Sequence, residues 1–326
     1  MNRSAWLLLI TLISLGISAR ASTVYAQTDC PTLDTGETYS QRAYAAYNQF
    51  DYNQAYILFT CEIERGTPDA ETYNMRANAS FGLGDYLAAI DDYTEAVTRG
   101  AELPSSTIAV YLTNRANAAM NLSDYKAALR DYSGAVIADA SYGDAHNGRG
   151  NANYFADHYA VALDDYSRAI ATNPDNPIYW TNRGISYYWL DDFQAAMDDY
   201  NEALTRDPFY ARAYNERGWL YFLQDDLQLA LDDFSQAISI SPTTTYYFNR
   251  ADVYVALNED ELALADYAAI LELDPDAFNA HLRRGDVYFD NDQFDLALAE
   301  YEQYLDAAGS SADADIVARV ESLRNP

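Results

Sequence analysis

The chain has 326 residues and a formal net charge of −30, from 20 Lys and Arg against 50 Asp and Glu. A surface this acidic repels nucleic-acid phosphates and anionic lipid headgroups, which argues against nucleic acid as a partner and leaves basic proteins, cationic peptides and divalent cations. The same charge keeps a long, regular chain soluble.

Residues 1–26 read as a secretory signal peptide. Arg3 supplies the positive start, Trp6 to Ile17 the short apolar core, and Val24-Tyr25-Ala26 small residues at a cleavage site. The alternative, an uncleaved anchor, needs a run of ~18 apolar residues, longer than this one. The expectation is an exported protein, periplasmic or extracellular, with no stable membrane insertion after cleavage. Residues 27–35 form a short N-terminal segment. Cys30 within it and Cys61 are the only cysteines. In an exported chain that even count predicts a disulfide stapling the segment onto the first helices, worth ~2–4 kcal/mol. The alternative is two unpaired small side chains.

From Gly36 the chain repeats itself. Gly150, Gly184 and Gly218 lie 34 residues apart, and Pro174, Pro208, Pro242 and Pro275 keep nearly the same step. In the stretch Pro177 to Tyr210, the spacing of Trp180, Arg183, Gly184 and Tyr187 places them on one helix face. Ala196, Tyr200 and Ala203 share a face of a second helix. Asp191 and Asp192 mark the turn between them, and Pro208 stops the second helix because proline cannot continue one. Eight such units fit the phase: Gly36–Asp69, Ala70–Leu103, Ala109–Tyr142, Gly143–Asn176, Pro177–Tyr210, Ala211–Thr243, Thr244–Ala277 and Phe278–Ser311. They are numbered repeats 1 to 8 below, and positions count from the first residue of each. The insertion Pro104–Ile108 between repeats 2 and 3 reads as a longer loop. Residues 312–326 read as a capping helix and tail, with Ile316, Val317, Val320 and Leu323 on one face against the last repeat.

Charge is periodic as well. Arg42, Arg76, Arg115, Arg149, Arg183, Arg217, Arg250 and Arg284 all take position 7, and Asp92, Asp131, Asp165, Asp199, Asp233, Asp266 and Glu300 take position 23. One cation per repeat and, from repeat 2 onward, one carboxylate, in phase, predict a ladder of ion pairs between helices. Arginine suits it because its planar fork holds a carboxylate at two points. The alternative is a row of arginines lining a groove for an anionic ligand.

A helix-turn-helix unit recurring every ~34 residues resembles the tetratricopeptide repeat family, over about Gly36 to Ser311. The resemblance implies an all-α fold: a right-handed superhelical solenoid of about eight helix-turn-helix repeats plus a C-terminal capping helix. It also implies a non-catalytic scaffold that holds other proteins or peptides, with the first helices lining a concave groove through positions 2, 5, 9, 12 and 13. Carried over one residue at a time, position 5 gives Asn74, Thr113, Asn147, Thr181 and Asn215. Position 9 gives Asn78, Asn117, Asn151 and Trp219. Position 12 gives Phe81, Met120, Tyr154, Tyr188 and Phe222, and position 13 adds Phe155 and Trp189. Asn side chains both donate and accept, so they suit a ligand backbone, and aromatic rings add flat apolar area at low entropy cost. The plainer reading packs the aromatics between repeats and leaves the Asn side chains solvated.

Catalytic signatures are not found in the sequence. The three histidines, His146, His158 and His281, have no second ligand at metal-binding spacing, and no phosphate loop or nucleophile motif occurs. The expectation is therefore no enzyme, no cofactor and no metal, and a monomer whose partner is a protein or peptide, with basic ones favoured by charge. The rival reading is a structural component of an envelope or extracellular assembly, acting through the convex face or the solenoid ends.

Overall fold

In a computed structural model the chain folds as seventeen α-helices and one 3-10 turn, with no strand among the described residues, which are 30–33, 38–66 and 68–324. The expected signal peptide at 1–26 lies outside the described residues, as do 27–29 and 34–37 around the start of repeat 1. The chain divides between Thr172 and Asn173 into two compact bodies. The N-terminal body holds four helix pairs: α1 (Tyr39–Asn48) with α2 (Tyr52–Arg65), α3 (Ala70–Gly82) with α4 (Tyr86–Arg99), α5 (Ser105–Asn121) with α6 (Tyr125–Ala138), and α7 (Gly143–Phe155) with α8 (Tyr159–Thr172). The C-terminal body holds α9 (Pro177–Trp189) with α10 (Phe193–Arg206), α11 (Ala211–Leu223) with α12 (Leu227–Ile240), α13 (Thr244–Ala256) with α14 (Asp260–Leu273), and α15 (Phe278–Asp290) with α16 (Phe294–Ala308), followed by α17 (Ala314–Arg324).

Every pair turns by the same device. One residue between the two helices takes the left-handed backbone conformation: Gly84, Ser123, Asp157, Asp191, Asp225, Asn258 and Asp292, with Phe50 in repeat 1. Gly, Asn and Asp tolerate that conformation best, which is why the turns are acidic. In repeats 1, 2, 3 and 5 the side chain of the residue after it caps the second helix. Asp51, Asp85, Asp124 and Asp192 each accept from the backbone N–H three residues on, satisfying a donor the helix itself leaves open.

Within each pair the core is a large ring against a small residue. Tyr132, Tyr166, Tyr200, Tyr267 and Tyr301, with Phe59 and Phe234, take position 24 and are fully buried. The room comes from Gly or Ala on the facing helix. A Cβ on Gly184 would sit 2.6 Å from the Tyr200 ring.

The position 7 arginines build the expected ladder. Arg76, Arg115, Arg183, Arg217 and Arg250 each grip the position 23 aspartate of their own repeat with two N–H donors at 2.6–2.9 Å, and Arg149 grips Asp165 likewise. In repeat 8, Arg284 reaches Glu300 at 3.0 Å. A third donor reaches backward. Nη1 of Arg76, Arg115, Arg217 and Arg250 donates to Thr60, Thr94, Asn201 and Ser235, the position 25 residues of the preceding repeats. Each of these arginines thus joins its own two helices and stitches them to the repeat before. Rings at positions 4 and 11 flank the guanidinium in several repeats, as Trp180 and Tyr187 do around Arg183. The aspartates are almost wholly buried, so the pairs are structural and are not presented to a ligand.

Two local expectations change. The insertion at Pro104–Ile108 is a helical extension, with Pro104 as N-cap and Ser105–Ile108 as the first turn of α5. The N–H groups of Thr107 and Ile108 donate to Pro104 O, and Ile108 packs against the cluster of Tyr73, Ala96 and Tyr111, which makes a loop there unfavourable. On α17, Ile316 and Val320 are buried and Leu323 packs beside them, but Val317 is exposed. The cysteines are bonded: Cys30–Cys61 fastens the segment before α1 to α2, and Tyr39 Oη donates to Pro31 O beside it.

Candidate binding face of the first helices

The residues expected to line a groove fall into three classes in the structure. Position 5 is interior. Asn74, Thr113, Thr181 and Asn215 are buried, and Asn147 is partly exposed. Two of them serve as links between neighbouring first helices: Asn114 Nδ2 donates to Asn74 Oδ1 at 3.1 Å, and Asn249 Nδ2 donates to Asn215 Oδ1 at 2.7 Å. Thr181 Oγ1 turns back to Pro177 O in its own helix.

Position 9 is committed to the core. The hydroxyls of Tyr93, Tyr132 and Tyr166 at position 24 donate to Oδ1 of Asn78, Asn117 and Asn151, at 2.5–2.8 Å. A buried phenol needs a partner, and an amide oxygen on the facing helix supplies it. In repeat 8 Asp286 takes the same role for Tyr301, at 2.9 Å. Where position 24 is Phe, position 9 is a ring instead: Tyr44 lies edge-on to Phe59 in repeat 1, and Trp219, with Phe234 at position 24 of its repeat, is itself buried. The recurrence of Asn inside helices therefore has an internal explanation, and of these amides Asn117 is the most exposed.

Position 12 is the class the face presents. Phe81, Met120 and Tyr154 in the N-terminal body, and Tyr188 and Phe222 in the C-terminal body, are all partly exposed. They do not stand alone. Phe81 packs on Tyr86, Tyr154 on Tyr159 and Tyr188 on Phe193, at centroid distances of 5.2–5.7 Å, so position 17 of the second helix holds each ring from behind. Phe155 is exposed and stacks on Tyr125 with an interplanar angle of 6°. The position 17 rings were the missed members of this face, and their signal was in the sequence: Tyr86, Tyr125, Tyr159 and Phe193 share the repeat phase.

The face is also charged. Glu71 accepts from the hydroxyls of Tyr44 and Tyr111, at 3.3 and 2.9 Å, from the first helices of the repeats on either side. Burial, with help from this carboxylate, pushes Tyr44 up to about 12. In the C-terminal body burial raises the carboxyls of Glu216 and Asp252 above their ordinary values, against the lowering effect of Arg212 and Arg283. His146 is buried with Nε2 3.1 Å from Ala140 O, and His281 Nδ1 lies 2.8 Å from Glu300, so both are taken up by packing contacts. No cluster of metal-ligating side chains occurs among the described residues, and no helix among them is long and apolar enough to cross a membrane.

Family models for the tetratricopeptide repeat match residues 70–99, 113–177, 177–210, 211–243 and 251–292, falling within both bodies. The chain is a tetratricopeptide repeat protein. Solved structures agree on the fold. A chain of the APC/C hetero-tetramer Cut9–Hcn1 superposes with a TM-score of 0.62 at 16% identity, covering 86% of this tetratricopeptide chain and 54% of that one. This chain thus spans about half the length of that relative. A tetratricopeptide repeat protein from Parabacteroides merdae gives a TM-score of 0.57 at 19% identity, covering 78% and 99%. The C-terminal part of a repeat protein from Cytophaga hutchinsonii gives 0.51 at 19%, covering 74% and 97%. No curated protein matches the chain by sequence. At these identities the likeness establishes the tetratricopeptide fold and leaves the partner to the chain's own surface.

Proposed function

We propose that this tetratricopeptide protein is an exported, monomeric scaffold that holds a peptide or protein segment against its first helices. The observation that carries the reading is the row of partly exposed position 12 side chains, Phe81, Met120 and Tyr154, each on a first helix and two of them braced by a ring from the second. Braced rings lose little entropy on binding, which is what a recognition surface needs. Export is supported by the signal-like N-terminus and by the Cys30–Cys61 disulfide, a bond that persists in oxidising compartments.

The test is capture from the exported fraction of the host with the chain from Gln27 onward. It is run beside a Phe81→Ala, Met120→Ala, Tyr154→Ala variant. Asn117 and Asn151 are left alone, because replacing them would unpartner Tyr132 and Tyr166. A partner held by the parent and lost from the variant, with helicity and melting unchanged, establishes binding through this face. A partner held equally by both moves the function to the convex face or the ends, which is the behaviour of an assembly component.

A further inference from the structure

From repeat 2 to repeat 6 the second helices turn a charged side to water. Position 22 is exposed and charged in each, as Asp91, Arg130, Asp164, Asp198 and Asp232. Repeats 4 and 5 add an ion pair one turn apart on that side, Asp164 with Arg168 at 2.9 Å and Glu202 with Arg206 at 3.3 Å. The second helix of repeat 7, α14, departs from the rule. It has Ala265 at position 22 and Ala269 at position 26, with Leu262 and Leu273 at the two ends of the same side, and it carries no Lys or Arg. Ala265 is exposed, and Leu262 and Leu273 are 47% and 50% exposed. The opposite side, through Ala263, Tyr267 and Ile270, is buried in the repeat. A helix that is apolar on all sides is one that something covers.

Repeat 1 shows what this fold does with such a side. Its second helix, α2, also lacks charge at positions 22 and 26, where Ile57 and Cys61 stand. There the chain covers itself: Cys30 is bonded to Cys61, which is fully buried. On α14 the side stays open. It is extended by Leu229 and Leu296, the exposed position 19 residues of the repeats before and after. Its ends are acidic. Glu261 and Glu272 are exposed on α14, and a cleft of about 480 Å³ beside its first turn is lined by Leu262 and Leu264 together with Glu259, Asp260 and Glu261. Two alanines one turn apart between two leucines leave a shallow seat at helical spacing, into which the larger side chains of another helix pack. A second copy of this chain does not suit the seat, because each copy carries a net charge of −30.

We propose that this side of α14 is the docking site for a basic amphipathic helix of a partner protein. The apolar stripe of that helix lies on Leu262, Ala265, Ala269 and Leu273, and its Lys or Arg side chains lie beside Glu261 and Glu272. The chemistry follows from the surface, which has an apolar centre, a carboxylate at either end and no cation of its own. The site belongs to a second helix of the C-terminal body. It does not rest on the reading of the first helices, and a partner held there is held in addition to theirs.

The test uses a fluorescein-labelled Leu–Lys peptide of the length of α14, 14 residues, with its leucines at helical spacing. A scrambled peptide of the same composition and a Leu–Glu peptide are the controls, and fluorescence anisotropy reads binding to the chain from Gln27. The amphipathic Lys peptide is expected to bind, the scrambled one more weakly and the Glu peptide not at all. Ala265→Asp with Ala269→Arg gives α14 the outward pair that repeat 4 carries as Asp164 and Arg168, with no change in net charge. The pair is native to the fold, so the variant should keep its helicity, which circular dichroism checks. It should weaken the peptide by at least about tenfold, as charges placed at the centre of a desolvated contact do. Leu262→Gln, with the residue that repeat 1 has at position 19 as Gln54, is a milder second variant and should weaken it in the same direction. Glu261→Gln with Glu272→Gln should cost roughly threefold and blunt the dependence on salt. The Phe81→Ala, Met120→Ala, Tyr154→Ala variant, in the other body, should bind the peptide as the parent does. No binding of the amphipathic peptide, equal binding of the scrambled one, or unchanged affinity in the Ala265 and Ala269 variant overturns the assignment. So does a loss in the first-helix variant instead, which would seat the peptide on the other face.

Discussion

Position 9 separates the two bodies. In repeats 2 to 4 of the N-terminal body it is Asn, neutral and already spoken for by a tyrosine hydroxyl. In the C-terminal body it runs Ile185, Trp219, Asp252 and Asp286, apolar in two repeats and then charged. The backbone slot and the buried ring behind it are the same throughout. What changes is whether the slot is closed within the repeat or needs a cation from elsewhere. A repeat protein can therefore keep one packing scheme and still vary the chemistry of its face from repeat to repeat, because only one side of each slot is structural.

The largest effects should come from the frame that both bodies share. Asp233→Ala leaves Arg217 without its carboxylate in a largely buried site, held only through Asn201, and removing one partner of a buried pair costs about 3–5 kcal/mol. Glu300→Gln should cost less. Glu300 is held by Arg284 through one contact and by His281, and Ala268 stands where earlier repeats place the polar position 25 residue that receives the third donor. Urea unfolding of the two variants, followed by circular dichroism, orders them. Equal losses would mean that the two-point grip of arginine on aspartate contributes no more than the single contact in repeat 8.

Next come the slots themselves. Tyr132→Phe removes a neutral hydrogen bond and leaves Asn117 open to water, a loss of about 1 kcal/mol. Tyr301→Phe removes a hydroxyl that donates to Asp286 and accepts from Arg319, so its loss should reach about 1.5–3 kcal/mol and should loosen α17. Hydrogen exchange on residues 314–324 reads the second effect directly. If the two substitutions cost the same, the contrast between a closed slot and a charged one has no energetic content.

How much of this was legible in the sequence depends on which residues repeat in phase. The ladder could be read outright, because Arg at position 7 and Asp at position 23 recur with so little exception that their pairing follows from the period. The alternation of large Tyr against Gly or Ala was equally plain. The tie of position 9 to the core was not read, because its partner lies 15 residues downstream on another helix. The signal was a correlation: Asn or Asp accompanies Tyr at position 24, as in Asn78 with Tyr93, and a ring accompanies Phe, as in Trp219 with Phe234. Ile185 with Tyr200 departs from it. The buried position 5 residues were misplaced for a different reason. A short polar side chain on a helix looks the same in sequence whether it faces water or a neighbouring helix, and only the packing of α3 on α5, or α11 on α13, turns Asn74 and Asn215 inward. The extension of α5 was hidden by Pro104, which reads as a break and is here a start.

The smallest predicted effect concerns pH and belongs to the C-terminal body alone. Four of its carboxyls, those of Asp199, Glu216, Asp233 and Asp252, are raised above their ordinary values, in each case chiefly by burial. A raised carboxyl holds its proton more tightly in the folded chain than in the unfolded one. Folding is then favoured as pH falls into the range just above the ordinary values of 3.8 and 4.5, and that contribution is lost as pH rises. Relief of self-repulsion in so acidic a chain works in the same direction. The melting temperature should therefore rise by a few degrees as pH is lowered from 7 to about 5, opposite to a protein whose carboxylates are stabilised by their partners. Asp252→Asn discriminates between the two causes. It removes one desolvated carboxylate and barely alters the total charge, so it should raise stability at pH 7 and flatten the pH profile, whereas an exposed change such as Asp232→Asn should do neither. An identical response from the two variants would assign the whole effect to net charge.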